Sequence, residues 1–386
     1  MKKIVLVIVL FALSLSTLDL NKKTDIKSKT EEEIRAVFFS YIELNNYIGN
    51  KKSAVSKKNI EEILEKIKTM YLNTIILQVR SHADAIYNSK LFPKSIYVKQ
   101  SDEDYDVLKY FITKAHQKEI KVIAWINPYR ISSSNKNLNE LENNPYLKPY
   151  FDKNIIYKEQ GVYFNPAKEE TTKLIVNGVK EVLNYQVDGI LFDDYFYPNK
   201  ELDLNDYEIY LKNNDYLDIT SYRLKNINNM IKKVYKECKK KNISFGVSPD
   251  ANLENNYQKN YADIKTWLSK DGYVDFIMPQ IYYGFNNSNK PFTKVLEEWN
   301  NLIINKRINL YIALALYKTG TFDKYAGTGQ NEWLESDNIL MRQIILSRNQ
   351  SNYRGFSLFR YDNLFNLELF ESTTKKEITG LKKVLK

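Results

Sequence analysis

Residues Leu174–Pro198 read LIVNGVKEVLNYQVDGILFDDYFYP. Leu174, Ile175, Val179, Val182 and Leu183 recur at spacings near 3.6, which predicts a helix with one apolar face. A short link, Gln186–Asp188, leads to Gly189-Ile190-Leu191-Phe192, an apolar run with no polar alternation. Such a run suits a strand buried on both faces of a parallel sheet. It ends in two adjacent carboxylates, Asp193 and Asp194, followed by Tyr195, Phe196 and Tyr197. Helix, tight link, buried strand and polar strand end make one unit of an alternating α/β chain.

The same unit recurs on both sides. Apolar runs occupy Ile34–Tyr41, Thr74–Val79, Lys121–Ile126, Gly189–Phe192, Ile243–Val247, Phe276–Ile281, Leu310–Leu316 and Gly355–Phe359. Helical spacing marks Ile60-Ile63-Leu64-Ile67 and Val107-Leu108-Phe111-Ile112-Ala115. Further helices are expected at Ile227–Lys239, Ala262–Ser269, Phe292–Ile304, Asn338–Ser347 and Glu377–Leu385. Eight strand–helix units in roughly 350 residues predict an α/β chain closed into a (β/α)8 TIM barrel. A doubly wound open sheet would carry a Gly-rich first turn, and none is present. Links from helix to strand are short: Tyr71–Asn73, Gln117–Ile120, Gln186–Asp188 and Lys240–Asn242. Segments leaving strands are long, as in Asn127–Ala167, Asp194–Leu217 and Tyr317–Ser336. The long βα loops therefore gather at the C-terminal face, where barrel enzymes build their sites.

Composition narrows the chemistry. The 386 residues carry 57 Lys+Arg against 47 Asp+Glu, a net charge of +10, and 43% are apolar, which excludes a disordered chain. Lysine is spread along the chain beside heavy Asn, Ile and Tyr usage, so the charge reads as a solvated surface; no nucleic-acid partner is expected. A single cysteine, Cys238, excludes a disulfide framework and Cys-rich metal sites. Two histidines, His82 and His116, argue against a multi-His metal centre or a Ser-His-Asp triad. Acid–base chemistry falls to carboxylates, and no metal or cofactor is called for.

At the N-terminus, Lys2 and Lys3 precede the apolar stretch Ile4–Leu13, and Ser14-Leu15-Ser16 follows. Residues 1–16 read as a signal peptide, or an uncleaved anchor, too short for the about 20 residues of a stable span. No nearby cysteine offers a lipoprotein anchor. Residues 17–33 read as a polar tether and 34–386 as the barrel domain. The expected location is secreted or envelope-associated, outside the cytoplasmic membrane, with oligomeric state left open.

Strand ends supply the candidate site. Neighbouring carboxylates repel, and burial raises the pKa of at least one, so Asp193 or Asp194 is a candidate general acid. Adjacent strand residues face opposite ways, so either one taken alone is as open to a structural place as to a catalytic one. Glu43 follows the first strand, Arg80 and Asp84 the second, Asn127 and Arg130 the third, and Asp250 the fifth. Gln280 and Tyr282 close the sixth, Tyr317 follows the seventh, and Arg360 and Asp362 the eighth. Together they predict a polar cleft walled by tyrosine, suited to carbohydrate. Tyr195 shares a strand side with Asp193; a phenol with pKa near about 10 would position groups rather than deliver a proton.

The strings NTIILQVRSHADAIYNSKLFPKS (Asn73–Ser95), AWINPYR (Ala124–Arg130), DGILFDDYFYP (Asp188–Pro198), FGVSPDAN (Phe245–Asn252), VDFIMPQIYYGF (Val274–Phe285) and LYIALALYKTG (Leu310–Gly320) occur in that order. From about Ile34 to Asp362 the chain resembles the glycosyl hydrolase-like 10 family, exported bacterial proteins of (β/α)8 fold. The resemblance implies a glycoside hydrolase, with peptide-free peptidoglycan glycan strands as a substrate class. It places the family's Asp-Asp-Tyr segment on Asp193, Asp194 and Tyr195, and its Pro-Gln segment on Pro279 and Gln280. Ser81-His82-Ala83 and Tyr282-Tyr283 depart from the usual pattern. The fourth strand is similar, in outline only, to the family 18 chitinase pattern Asp-x-x-Asp-x-Asp-x-Glu; Leu191 and Tyr195 stand at two of its acidic positions.

The expectation is an exported hydrolase that cleaves cell-wall glycan, with Asp193, Asp194 and Asp250 as catalytic candidates. Arg80, Asp84, Asn127, Arg130, Tyr195, Gln280, Tyr282 and Tyr317 are the substrate-binding candidates. A non-catalytic wall-polysaccharide-binding barrel is the alternative. A metal-dependent deacetylase or isomerase is disfavoured by the two histidines.

Overall fold

The computed structural model describes residues 32–134, 136–151, 153–158, 161–193, 196–197, 203–366 and 372–386. The leader and most of the tether, at residues 1–31, lie outside the described residues. The strands are β1 (Ile34–Phe39), β2 (Thr74–Arg80), β3 (Lys121–Ile126), β4 (Arg130–Ser132), β5 (Ile155–Lys158), β6 (Gly161–Phe164), β7 (Gly189–Phe192), β8 (Ser244–Val247), β9 (Phe276–Ile277), β10 (Asn309–Leu314) and β11 (Tyr353–Leu358). Eight of them form a closed parallel barrel in chain order, β1-β2-β3-β7-β8-β9-β10-β11, with β11 paired back onto β1. The expected (β/α)8 architecture is the one observed.

Strand alternation divides the apolar residues between two compartments. Ala36, Phe38, Ile76, Ile123, Trp125, Leu191, Phe276 and Met278 fill the barrel interior. Their neighbours, among them Val37, Phe39, Ile75, Leu77, Val79, Ile190 and Phe192, pack outward against the helices. Gly246 on β8 has no Cβ because one would come 2.3 Å from the Phe276 ring, which crosses the interior there. The interior is thus a packed core below, and it opens at its C-terminal end.

Apolar periodicity became helical burial as anticipated. Helix Ser53–Thr69 buries Ile60, Ile63, Leu64 and Ile67, and helix Val107–Gln117 buries Leu108, Phe111, Ile112 and Ala115. Each of the four short helix-to-strand links contains one left-handed residue: Tyr71, Glu119, Gln186 and Asn242, all at φ of 56 or 57°. One compact turn, used four times, ends a helix and aims the chain into the next strand.

Four features differ from the sequence reading; in the first, the run Phe276–Ile281 is a strand only over Phe276–Ile277, before Pro279. The run Ile34–Tyr41 stops as a strand at Phe39, because Ser40 and Glu43 form a reciprocal capping box that starts helix Tyr41–Tyr47. The long segment after β3 folds into an antiparallel sheet in the order β4-β6-β5. Glu33, assigned to the tether, is held by Arg348 at 2.8 Å and by the Tyr353 hydroxyl at 2.7 Å, and so belongs to the barrel.

Candidate active site

The open end of the barrel holds a cavity of about 270 Å³. Its apolar wall is Phe38, Trp125, Phe359 and Tyr282. These rings brace one another: Phe38 meets Trp125 edge-on with centroids 5.3 Å apart, and Tyr282 lies 5.9 Å from Phe359. Its polar wall comprises Ser40, Gln78, Asn127, Arg130, Asp193, Ser248, Gln280 and Arg360.

Asp193 continues the inward parity of Leu191 beyond the end of β7, and it is 4% exposed. Its Oδ2 accepts hydrogen bonds from Trp125 Nε1 at 3.2 Å and from Asn127 Nδ2. Asn127 Oδ1 in turn accepts from Gln78 Nε2 at 2.6 Å, and Gln78 Oε1 accepts from the Tyr41 backbone N–H at 2.9 Å. Residues from the ends of β1, β2, β3 and β7 are thereby joined in one hydrogen-bonded chain across the cavity floor.

A second carboxylate stands beside this floor. Glu43 is fully buried; its Oε2 accepts from the Ser40 backbone N–H at 2.9 Å, and its Oε1 pairs with the Arg360 guanidinium. Arg360 also lies 3.7 Å from Asp362, which accepts from the Tyr47 hydroxyl at 2.9 Å. Burial raises the Glu43 pKa, and Arg360 opposes that rise. Ser40 and Arg360 line the cavity, whereas Glu43 sits behind them, bonded to both.

Of the site residues expected from sequence, Asp193, Asn127, Arg130, Gln280 and Tyr282 come together on this cavity. Gln280 donates its Nε2 to the Ser248 carbonyl at 2.9 Å. Tyr317 adjoins the cavity rather than lining it, edge-on to Tyr282 at 5.7 Å and 39% exposed. Its partial burial pushes the phenol pKa up to about 12. Asp194 and Tyr195 lie outside the described residues.

Three expected residues are directed elsewhere. Arg80 should share the inward parity of Ile76 and Gln78, but a bulge after Gln78 sets Arg80 opposite Ile126, which faces the helices. Its guanidinium therefore stacks 3.8 Å from the Phe92 ring centroid, over Gly178 of helix Glu169–Val182. Asp84 accepts from the His82 backbone N–H at 3.1 Å within its own loop, where burial raises its pKa. Asp250 spends both carboxylate oxygens on its turn, accepting from Asn252 N–H at 2.8 Å and Asn255 Nδ2 at 2.9 Å. His82 packs between Tyr41 and Tyr97, and burial lowers its pKa to about 3.

Sequence reading missed Gln78 and Trp125, along with the lining residues Phe38, Ser40, Ser248 and Phe359. The signal for Gln78 was present: a lone amide in the apolar string Ile75-Ile76-Leu77-Gln78-Val79, two positions from inward-facing Ile76.

The glycosyl hydrolase-like 10 family description matches residues 33–329. Over 367 residues the chain is 30% identical to glycosyl hydrolase YngK of Bacillus subtilis (strain 168), spanning 87% of this chain and 70% of that protein. It is 29% identical over 344 residues to glycosyl hydrolase DigH of Escherichia coli (strain K12), spanning 81% of this chain and 77% of that protein. The PgaB (BpsB) glycoside hydrolase domain from Bordetella bronchiseptica shares the fold, with a TM-score of 0.56 at 13% identity over 92% of this chain and 99% of that one. The extent of the family match, joined to a relative 30% identical over most of both chains, assigns the chain to the glycosyl hydrolase-like 10 family.

Proposed function

We propose that the protein is an exported glycoside hydrolase that cleaves cell-wall glycan, namely peptidoglycan strands stripped of their peptides. The observation that carries the reading is Asp193: a carboxylate on the floor of an aromatic-walled cavity at the barrel mouth, held by Trp125 and Asn127. Glycoside hydrolysis needs two carboxyl groups about an oxocarbenium-like transition state, one to protonate the leaving oxygen and one to act as nucleophile or base. Asp193 and its chain neighbour Asp194 are the proposed pair. Asp250 is the third candidate, with its oxygens engaged in shaping the loop beside Gln280.

A cavity of about 270 Å³ suits one sugar ring of a polymer whose remainder runs over the open rim. Tyr282 and Phe359 offer ring faces to sugar C–H surfaces, while Asn127, Arg130 and Gln280 offer N–H groups to its oxygens. The proposal uses no metal or cofactor. Export rests on the leader-like residues 1–16. Among the described residues no helix is long and apolar enough to cross a membrane.

Asp193→Asn and Asp194→Asn, assayed separately for release of reducing ends from peptide-free wall glycan, test the assignment. The expected result is a loss on the order of a thousandfold or more for at least one variant. Near-full activity in both would sink the carboxylate mechanism. Tight binding with no turnover by the unaltered protein would instead favour a wall-polysaccharide-binding barrel. For export, fractionation should recover the protein outside the cytoplasmic membrane, and removal of residues 1–16 should keep it inside.

A further inference from the structure

The direction of every hydrogen bond beneath Asp193 is set from one end. A backbone N–H can only donate, so Tyr41 N fixes the facing Gln78 atom as Oε1. Gln78 must then present its Nε2 to Asn127, which fixes the acceptor there as Oδ1. Asn127 is left with Nδ2 toward Asp193, and the donor-only indole of Trp125 reaches the same oxygen. Neither amide can flip without opposing two donors or two acceptors. Gln78 and Asn127 are each 1% exposed, so bulk water does not substitute for the lost partner.

We infer that Gln78 is a positioning residue for catalysis, relaying the polarity of the Tyr41 N–H through Asn127 so that Asp193 Oδ2 is held as an acceptor. The inference rests on the catalytic reading of Asp193 given above and deepens it. Two N–H groups on one oxygen fix the plane of the carboxyl. Any proton that Asp193 carries then resides on Oδ1. Gln78 lines the cavity, but its amide bonds go to Tyr41 and Asn127 and not to the carboxylate, so its effect on Asp193 passes through the orientation of Asn127.

The decisive variant is Gln78→Glu. At neutral pH the introduced carboxylate accepts from Tyr41 N–H but has no proton for Asn127. The Asn127 amide then reverses, setting its Oδ1 against Asp193. The expected result at pH 8 is a kcat lower by about 10²-fold, as for a misplaced reacting group, with KM changed far less. Protonation of the introduced carboxyl restores a donor toward Asn127, so the ratio of variant to unaltered kcat should climb about tenfold or more as the pH falls toward 5. Gln78→Met, which can neither donate nor accept, should lower kcat with no such recovery.

A ratio that stays flat for Gln78→Glu, or unchanged kcat in both variants while Asp193→Asn is inactive, would overturn the relay. Activity retained in Asp193→Asn would count against the catalytic reading instead. A readout independent of turnover then decides the relay. The chain has four tryptophans, so the Trp125 indole N–H signal can be assigned by its loss in Trp125→Phe. The relay requires that signal to move, and to titrate differently, in Gln78→Glu. An indole signal superimposable on that of the unaltered protein from pH 5 to 8 refutes it.

Discussion

Replacing Arg360 by Met removes the partner of a buried charge while keeping most of the side chain's length. Glu43 is fully buried, and its carboxylate is shared between Ser40 and Arg360. Burial raises its pKa above the ordinary 4.5, and the Arg360 charge is the largest opposing influence. Without Arg360 the folded-state pKa rises further, whereas the unfolded chain keeps its ordinary value. A carboxyl whose folded pKa is raised contributes stability below its unfolded pKa and loses it as pH rises through the folded one. The cost of Arg360→Met should therefore be small up to the raised folded pKa of the unaltered protein, and above it grow by about 1.4 kcal/mol per pH unit. It should level off near 3–5 kcal/mol, the cost of stranding a buried charge. Because the Arg360 side chain is 21% exposed, the lower end of that range is expected. Adding Glu43→Gln removes the stranded charge, so the double variant should regain most of the loss at pH 8. Urea unfolding of both single variants and the double variant at pH 4.5, 6 and 8 measures each of these differences. A loss that does not change with pH, or a double variant no more stable than Arg360→Met at pH 8, would refute the reasoning.

His82 is held neutral by burial, with its pKa lowered from 6.5 to about 3, so its contribution is present above pH 6.5 and is lost as pH falls toward 3. His82→Gln should accordingly gain about 2 kcal/mol on the unaltered protein between pH 7.5 and 5, read from urea midpoints at the two values. Arg80→Met keeps the contact with Phe92 and removes a buried guanidinium whose Nε and Nη1 have no hydrogen-bond partner among the described residues. Its stability should lie within about 1 kcal/mol of the unaltered protein, and kcat/KM on wall glycan should be unchanged. Asp250→Asn keeps an oxygen for the Asn252 N–H, so its kcat should fall less than about tenfold, in contrast to Asp193→Asn. Tyr317→Ala, at the exposed rim, should raise KM for long oligosaccharides several-fold while kcat holds, as expected for loss of about 1 kcal/mol of stacking.

The barrel was legible because its signals are local. Each buried run between two helical patterns declares a strand without reference to any partner, and four short links mark where helices return to the sheet. The inward position of Asp193 also follows from local parity once Leu191 is set inside. Arg80 was not legible, because its orientation depends on a bulge in the pairing of β2 with β3, a property of two strands distant in sequence. The polarity of Gln78 was equally hidden, since it is imposed by a backbone N–H from the neighbouring β1 end. The Glu43–Arg360 pair stands between these cases. The two residues are 317 apart in sequence, yet closure of the barrel makes β1 and β11 neighbours. An acid just beyond the first strand and a base just beyond the last must then meet at the same rim. The Ser40-Tyr41-Ile42-Glu43 capping box turns that acid back toward the strand end, where Arg360 completes its coordination. Topology is thus enough to pair residues across the chain, while the facing of each side chain waits on the register that only the paired strands determine.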